Sequence, residues 1–367
     1  MKTSFTKSQL KKVGEKLRHH VPLSPKEELI LAEFRLGHRR VIEAFRNHHK
    51  TLLDRSKWKE RGILFVSRLK KRNTLVNKLA DRQRQMDISR MHDIAGCRLI
   101  FLNLKHLLSY RNRFVQRVIS TKHYVHLRAD KYNYLIHPRD TGYRGIHDVY
   151  EEELPGDQLK AKIEIQYRTI TQHAWSTALE IWDQSHLCGA KFGLEDKGIQ
   201  ELFMLYAELL WRFNDFDPDS GQFKREHVDL DDGDLYHRIR KQERELHVLR
   251  YLRDLKRVKA KIAIKGEDVL LHRYTRISGG GSTTALEARQ LTWDAVQSEL
   301  FEKELDETND FVFVQASSRV LRRAYNNYFD DAGGFVSKVC VAMKRLHGCR
   351  SFMSFRRDLD PVFVLNK

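Results

Sequence analysis

Three stretches decide the reading of this chain: Asp93-Ile-Ala-Gly-Cys-Arg98, Tyr134 to His147 (YLIHPRDTGYRGIH), and Glu164-Ile-Gln-Tyr-Arg-Thr169. Residues 143–152 and 160–168 alternate enough to predict two β-strands, joined by the turn Pro155-Gly156-Asp157. A strand over Cys97 to Leu102, a helix over Leu104 to Ile119 and a strand over Lys122 to Leu127 complete the unit. The expected fold class is α/β (α+β), a mixed β-sheet flanked by helices. Within it the three stretches bring together two carboxylates, several cations and a tyrosine between glycines. Metal-assisted transfer from a nucleoside triphosphate needs that set of groups.

Outward toward the N-terminus, apolar residues recur at helical spacing over 26–53, with Pro25 at the predicted helix start. A second helix is expected over about 62–85, carrying Arg68, Lys70, Lys71, Arg72, Lys78 and Arg82. After Thr169 the pattern is helical to about Phe216, and an Asp- and Gly-rich loop is expected over 215–234. Eleven Lys and Arg lie between Arg238 and Lys265, on what reads as one basic helical rod with a leucine stripe. That rod is either a packed connector or an RNA-binding face. A strand over Val269 to Tyr274, the flexible Ile277 to Thr284, a helix over Ala285 to Leu305, a strand over Asp310 to Gln315 and a helix bearing Tyr325 and Tyr328 follow. The predicted division is a first domain over 1–268 and a small C-terminal domain over 269–367.

The chain has 367 residues, of which 41% are hydrophobic, enough for two ordinary globular domains. Its 67 Lys and Arg against 49 Asp and Glu leave a net charge of +18, so a polyanionic partner is expected. Cys97, Cys188, Cys340 and Cys349 form neither a disulfide framework nor a C-x-x-C zinc pair. A reducing cytoplasm is expected. No apolar run follows the basic N-terminus and none reaches membrane-spanning length, so a soluble protein without a membrane partner is expected.

In their order the three stretches resemble the synthetase domain of the RelA/SpoT family, pyrophosphokinases that move the β,γ-diphosphate of ATP to a ribose 3′-hydroxyl. The resemblance runs from about Arg68 to Trp182. It implies ATP as substrate and Mg2+ as cofactor, with Asp93 and Glu164 as catalytic and metal-holding carboxylates and Glu164 also assisting deprotonation of the attacking hydroxyl. Arg68, Lys70 and Lys78, in the family's R-x-K then K-L arrangement, with Arg98 and Arg139, match its ATP-binding cations. Tyr143 matches the tyrosine that stacks on the acceptor base. His147, Gln166 and Arg168 match the acceptor side of the site, and His173 completes the E-x-Q-x-R-T…H pattern. One departure stands out. Where alarmone synthetases carry Lys two residues before the Tyr134 position, this chain has Tyr132, with Lys131 one step earlier.

A RelA/SpoT synthetase joined to a small domain with a Tyr-x-x-Tyr helix resembles the CapRel fused toxin-antitoxin proteins of phage defence. That resemblance implies a metal-free relative of a zinc finger at the C-terminus, a pseudo-zinc-finger antitoxin. There Tyr325 and Tyr328 would occupy the ATP pocket, through an intramolecular toxin-antitoxin contact, until a phage capsid protein binds. It implies transfer of diphosphate to the 3′-terminal adenosine of tRNA, which stops translation; a monomer is expected. Alarmone synthesis from ATP with GDP or GTP is the alternative within the enzyme class. A catalytically silent RNA-binding regulator is the alternative outside it.

Overall fold

Runs of β-branched and aromatic residues with few charges become the middle of one sheet. The computed structural model describes residues 4–359 except 56–57, 59–60, 82–85, 153–158, 187–196, 256–257, 279–280, 302 and 306–309. Its strands are β1 (Leu64–Leu69), β2 (Ala95–Phe101), β3 (Tyr124–Leu127), β4 (Ile146–Glu152), β5 (Lys162–Thr169), β6 (Lys259–Ala263), β7 (Asp268–Ser278), β8 (Gly281–Gln290) and β9 (Asp310–Gln315). They run side by side in the order β3-β4-β5-β2-β1-β9-β7-β8-β6. β2 and β5 are parallel, as are β6 and β8, and the other pairs are antiparallel. The expected mixed sheet with helices is present. The proposed turn at 155–157 lies outside the described residues.

Helices α1 (Lys7–Arg18), α2 (Pro25–Leu36) and α3 (Arg39–Leu53) form the N-terminal cap. Thr6 with Gln9, and Ser24 with Glu27, make capping boxes, and Pro25 opens α2. Helix α4 (Arg72–Ala80) follows β1, and α5 (Leu104–Ser120) starts on the side chain of Asn103. Leu107, Tyr110 and Phe114 of α5 bury themselves with Cys97, Leu99, Ile163, Ile165 and Tyr167. Because strand side chains alternate between faces, Gly96, Arg98, Glu164, Gln166 and Arg168 are delivered to the other face. Helices α6 (Ile170–His186), α7 (Lys197–Leu210), α8 (Asp232–Leu246) and α9 (Val248–Asp254) make a second core, joined by Phe335, Val339 and Met343 of α11 (Gly333–Leu359). Short α10 (Ser318–Ala324) lies between β9 and α11.

Four expectations need correction. The helix expected over 62–85 is β1, a turn and α4: Leu64, Val66 and Arg68 pair with Ile100, Arg98 and Gly96 of β2, and this cross-strand pairing overrides local helical preference. Arg82 is outside the described residues. The basic rod is not one helix. His247 takes a left-handed conformation (φ 53°) between α8 and α9, and the chain turns into strand β6. The helix expected over Ala285 to Leu305 is not formed: residues 281–290 pair with β7 as β8, and short 3-10 and π turns follow over 293–301 and 303–305. The described part of the stretch expected to be flexible, Ile277, Ser278 and 281–284, is strand, with Ser278 opposite Gly281.

The segment after 268 does not sit apart from the first sheet. β9 pairs with β1 (Ser67 opposite Gln315, Arg68 opposite Val314) and with β7, so the sheet runs on through both halves of the chain. Cys97 and Cys340 are in no disulfide, and the side chain of Cys349 is not among those described. Among the described residues no helix is long and apolar enough to cross a membrane.

Candidate active site

Sheet register builds the site. Arg68 lies opposite Gly96, and Gly96 opposite Glu164; one row over, Val66 lies opposite Arg98, Arg98 opposite Gln166, and Gln166 opposite His147. Directly opposed residues share a face. Two adjacent rows therefore carry Arg68, Glu164, Arg98, Gln166 and His147 to one surface, although they come from 100 residues of chain. Asp93, just before β2, closes the end of this surface. Arg68, Asp93, Arg98, Glu164 and Gln166 all line one cavity, together with Tyr325.

Asp93 is held by two lysines. Lys70 Nζ lies 2.7 Å from Oδ2 and Lys78 Nζ 2.9 Å from Oδ1. Burial pushes the Asp93 carboxyl up, but the two ammonium groups outweigh it and keep the group below the ordinary carboxylate range. Glu164 accepts a hydrogen bond from Gln166 Nε2 at 2.7 Å and faces His147 Nδ1 at 3.5 Å. Burial raises its pKa; the His147 charge and the two hydrogen bonds reverse the sign, so Glu164 is also held ionised. Gln166 Oε1 accepts from Arg168 at 3.1 Å and from Arg98 at 3.4 Å, which orients its amide toward Glu164.

Arg68, Lys70, Lys78 and Arg98 stand against Asp93 and Glu164, with Glu180 also acting on Arg68 and Arg98, so cations outnumber carboxylates around the cavity. The Arg98 pKa falls to about 10, first through burial and then through repulsion by Arg168 and Arg68. A polyanion placed there would relieve that repulsion.

The tyrosine stretch is built by its glycines. Gly142 has φ 86°, and a Cβ there would meet Ala207 Cβ at 2.8 Å and Met204 Cα at 2.9 Å; Gly145 has φ 149°. Between them Arg144 is buried and bonded to Glu208 at 2.6 Å, and Glu208 is in turn held by Arg212 at 2.8 Å. The fixed loop presents Tyr143, whose hydroxyl lies 2.6 Å from His147 Nε2. His147 thus bridges Tyr143 and Glu164. Burial would lower the His147 pKa, but Tyr143 and Glu164 raise it to about 9; the Tyr143 pKa, raised by burial, is drawn down to about 8 by Arg168 and His147. The guanidinium carbons of Arg168 and Arg139 lie 5.2 Å and 5.5 Å from the centre of the Tyr143 ring.

Arg139, matched with the ATP cations, stands on this tyrosine side, where it donates to the Tyr134 hydroxyl at 2.7 Å. Tyr134 meets the Tyr143 ring edge-on at 5.5 Å. Neither Tyr134 nor Arg144 was singled out from the sequence, although both lie inside the quoted stretch. The signal available was position in the motif, since a sequence does not show whether a given tyrosine or arginine is buried.

Tyr325 and Tyr328 do not lie on a regular helix. Tyr325 caps α10 and Tyr328 sits in the 3-10 turn Asn326–Phe329, where residues three apart eclipse one another, so they still share a side. Both are buried, Tyr325 at 2% exposure and Tyr328 at 3%. Tyr325 enters the cavity beside Arg68 and Arg98, and Lys71 Nζ lies 4.7 Å over the Tyr328 ring. His173, expected only to support the site, holds this segment: its Nε2 lies 3.1 Å from the Arg323 carbonyl oxygen. Burial and the neighbouring Arg98 and Arg168 lower its pKa to about 3, so a neutral imidazole donates that bond.

Residues 67–182 match the family described as a region found in RelA / SpoT proteins. The RelA/SpoT region therefore holds every side chain of the two rows that carries charge, and the matched segment is about a third of the chain. Tyr325 and Tyr328 lie outside it. No curated protein matches the sequence. Among solved structures the chain is similar to small alarmone synthetase 1 from Bacillus subtilis bound to its product pppGpp, at 19% identity over 47% of this chain and 86% of that one, with a TM-score of 0.38. Small alarmone synthetase 2 from Bacillus subtilis gives 22% identity, 48% and 89% coverage and a TM-score of 0.35. A GTP pyrophosphokinase family protein from Streptococcus pneumoniae gives 18%, 51%, 88% and 0.39.

Proposed function

We propose that this protein is an ATP-dependent pyrophosphokinase that transfers diphosphate to the 3′-hydroxyl of tRNA and is held shut by its own C-terminal segment. The observation that carries the enzymatic part is one cavity holding two ionised carboxylates among Arg68, Lys70, Lys78 and Arg98. In the reaction, the acceptor oxygen forms a bond to the β-phosphorus of ATP, the bond from that phosphorus to the α,β-bridging oxygen breaks, and AMP leaves. Glu164 accepts the hydroxyl proton. The four cations take up negative charge on the phosphates, which is the main catalytic demand in this chemistry.

Asp93 and Glu164 fit Mg2+, because they are hard, ionised oxygen donors on one cavity. Among the described residues no group of three or more His, Cys, Asp or Glu is placed to hold an ion alone, so substrate phosphates would complete the coordination. The ion supplies Lewis-acid neutralisation of the transferring phosphates. Tyr143, framed by Arg139 and Arg168, offers its ring to the acceptor base, where stacking contributes about 1 to 3 kcal/mol.

The shut state is supported by volume. With Tyr325 in place the cavity holds about 20 Å³, room for one water. Pockets for ligands the size of a nucleotide run to roughly 300–1,000 Å³. Asp93 and its lysines neutralise one another in the meantime. Opening must move Tyr325 away and free Lys70 and Lys78 for phosphate. On the CapRel resemblance, a phage capsid protein is the trigger that favours the open state.

Chromatography of radiolabelled ATP incubated with tRNA, GDP or GTP tests this reading, using wild type and a Tyr325→Ala/Tyr328→Ala variant. Label moving to tRNA in the variant supports it. Label moving only to GDP or GTP assigns alarmone synthesis, and no transfer from a folded variant removes the enzymatic reading.

A further inference from the structure

The positive charge of this chain is unevenly spent. On α8 and α9, where the sequence concentrates cations, Arg238 pairs with Glu201 and both Arg250 and Arg253 with Asp254. On the opposite side of the sheet lies an open groove of about 530 Å³ between the end of α3 and the outer face of α5, lined by Arg55, Asn112, Arg113 and Gln116. It continues into a lobe of about 310 Å³ bordered by Arg117. Among the described residues no Asp or Glu lines either part. Among the described residues Arg55, Arg113 and Arg117 have no carboxylate partner, and Arg117 Nε is buried without an acceptor. The field around them is positive: His48, lowered first by burial, is lowered further by Arg117 and His123.

We infer that this groove binds the phosphate backbone of RNA, without reading its sequence. Arg113 and Arg117 are four apart on α5 and so lie on one face about 6 Å from each other, with Arg55 across the groove. Guanidinium groups and neighbouring amides suit phosphate oxygens, which position a nucleic acid and carry no base information. The aromatic side chain at the groove, Trp58, is 4% exposed and offers no face for a base, which separates this site from a pocket for a free nucleotide. α5 packs on the face of β5 that bears Ile163, Ile165 and Tyr167, so the groove lies behind Glu164 and Gln166. A contact made there grips the body of an RNA and leaves its reacting 3′ end to the front. The inference rests on the proposed tRNA acceptor only for the identity of the polyanion.

Fluorescence anisotropy of the full chain with bulk tRNA, and with the same tRNA lacking its terminal CCA, tests the groove. Arg113→Ala/Arg117→Ala should weaken both RNAs equally, by tenfold or more at 0.1 M salt. The slope of log affinity against log salt should become shallower by about 1.5, since each lost phosphate contact contributes about 0.7 to 0.9. Arg113→Lys/Arg117→Lys should keep most of the slope, with unchanged melting in all variants. Unchanged affinity and slope in the Ala variant would overturn the inference. So would a loss seen only with intact tRNA, or displacement of truncated tRNA from wild type by millimolar ATP. If label never reaches tRNA in the transfer assay while truncated tRNA still depends on these arginines, the groove stands and the acceptor reading falls.

Discussion

Lys70 Nζ lies 2.7 Å from Asp93 Oδ2, so a cation matched to ATP is occupied by the carboxylate matched to the metal. Asp93→Asn removes the charge at nearly constant volume and leaves Lys70 and Lys78 facing a neutral amide. Diphosphate transfer by the opened enzyme should fall by at least about a hundredfold, the scale of losing one electrostatic stabiliser of a transition state. Glu164→Gln should do the same. Transfer near the wild-type rate in either variant, measured by chromatography of labelled ATP, would remove that residue from the site.

Tyr325→Ala/Tyr328→Ala should uncover the cavity. The closed state can be favoured by only a few kcal/mol if a ligand is to shift it. The variant should therefore bind a non-hydrolysable ATP analogue that the wild type excludes, read by calorimetry, and should arrest growth of an expressing bacterium in an Asp93-dependent manner. Equal exclusion of the analogue by a folded variant would show that these tyrosines are packing residues.

Arg35 and Glu304 form a buried ion pair at 2.6 Å, with side chains 2% and 5% exposed. Arg35 also donates to the Lys70 carbonyl oxygen at 2.8 Å, and Glu304 accepts from the Arg72 backbone at 3.3 Å. The pair ties the segment before β9 to the backbone on either side of Lys71. Breaking one side of a buried pair costs about 3 to 5 kcal/mol. Glu304→Gln should lower the melting temperature and raise transfer without any trigger. A lower melting temperature with no rise in transfer would confine the pair to stability.

His147 gives a pH prediction. Its folded pKa of about 9 exceeds the ordinary 6.5, so the stability it contributes is complete below pH 6.5 and is lost as pH rises toward 9. Tyr143 acts in the opposite sense: its pKa of about 8 lies below 10, so its contribution grows from pH 8 upward. Wild-type melting temperature should fall between pH 6.5 and 8 relative to His147→Gln, then level off. Parallel profiles for the two proteins would show that His147 is not held protonated.

For the acceptor, Tyr143→Ala should cost about 1 to 3 kcal/mol in acceptor use. Tyr143→Phe keeps the stacking face but loses the 2.6 Å bond to His147, so it should cost less. Identical steady-state kinetics for all three forms with tRNA would return Tyr143 to packing.

Local pattern was enough for part of this protein: the alternation over 160–168, the helix over 104–119, the glycines around Tyr143, and the matching of Asp93 and Glu164 as a pair. Those signals are carried by near neighbours in the chain. It misplaced β1, β8 and the basic rod because a charged or small-residue strand has no strong period of its own and is fixed by the partner it pairs with. Only the folded chain settles that Arg68, Gly96 and Glu164 fall in one row and that β9 pairs beside β1. Strand register and long-range ion pairing are set by contacts between residues far apart in sequence, which no local pattern records.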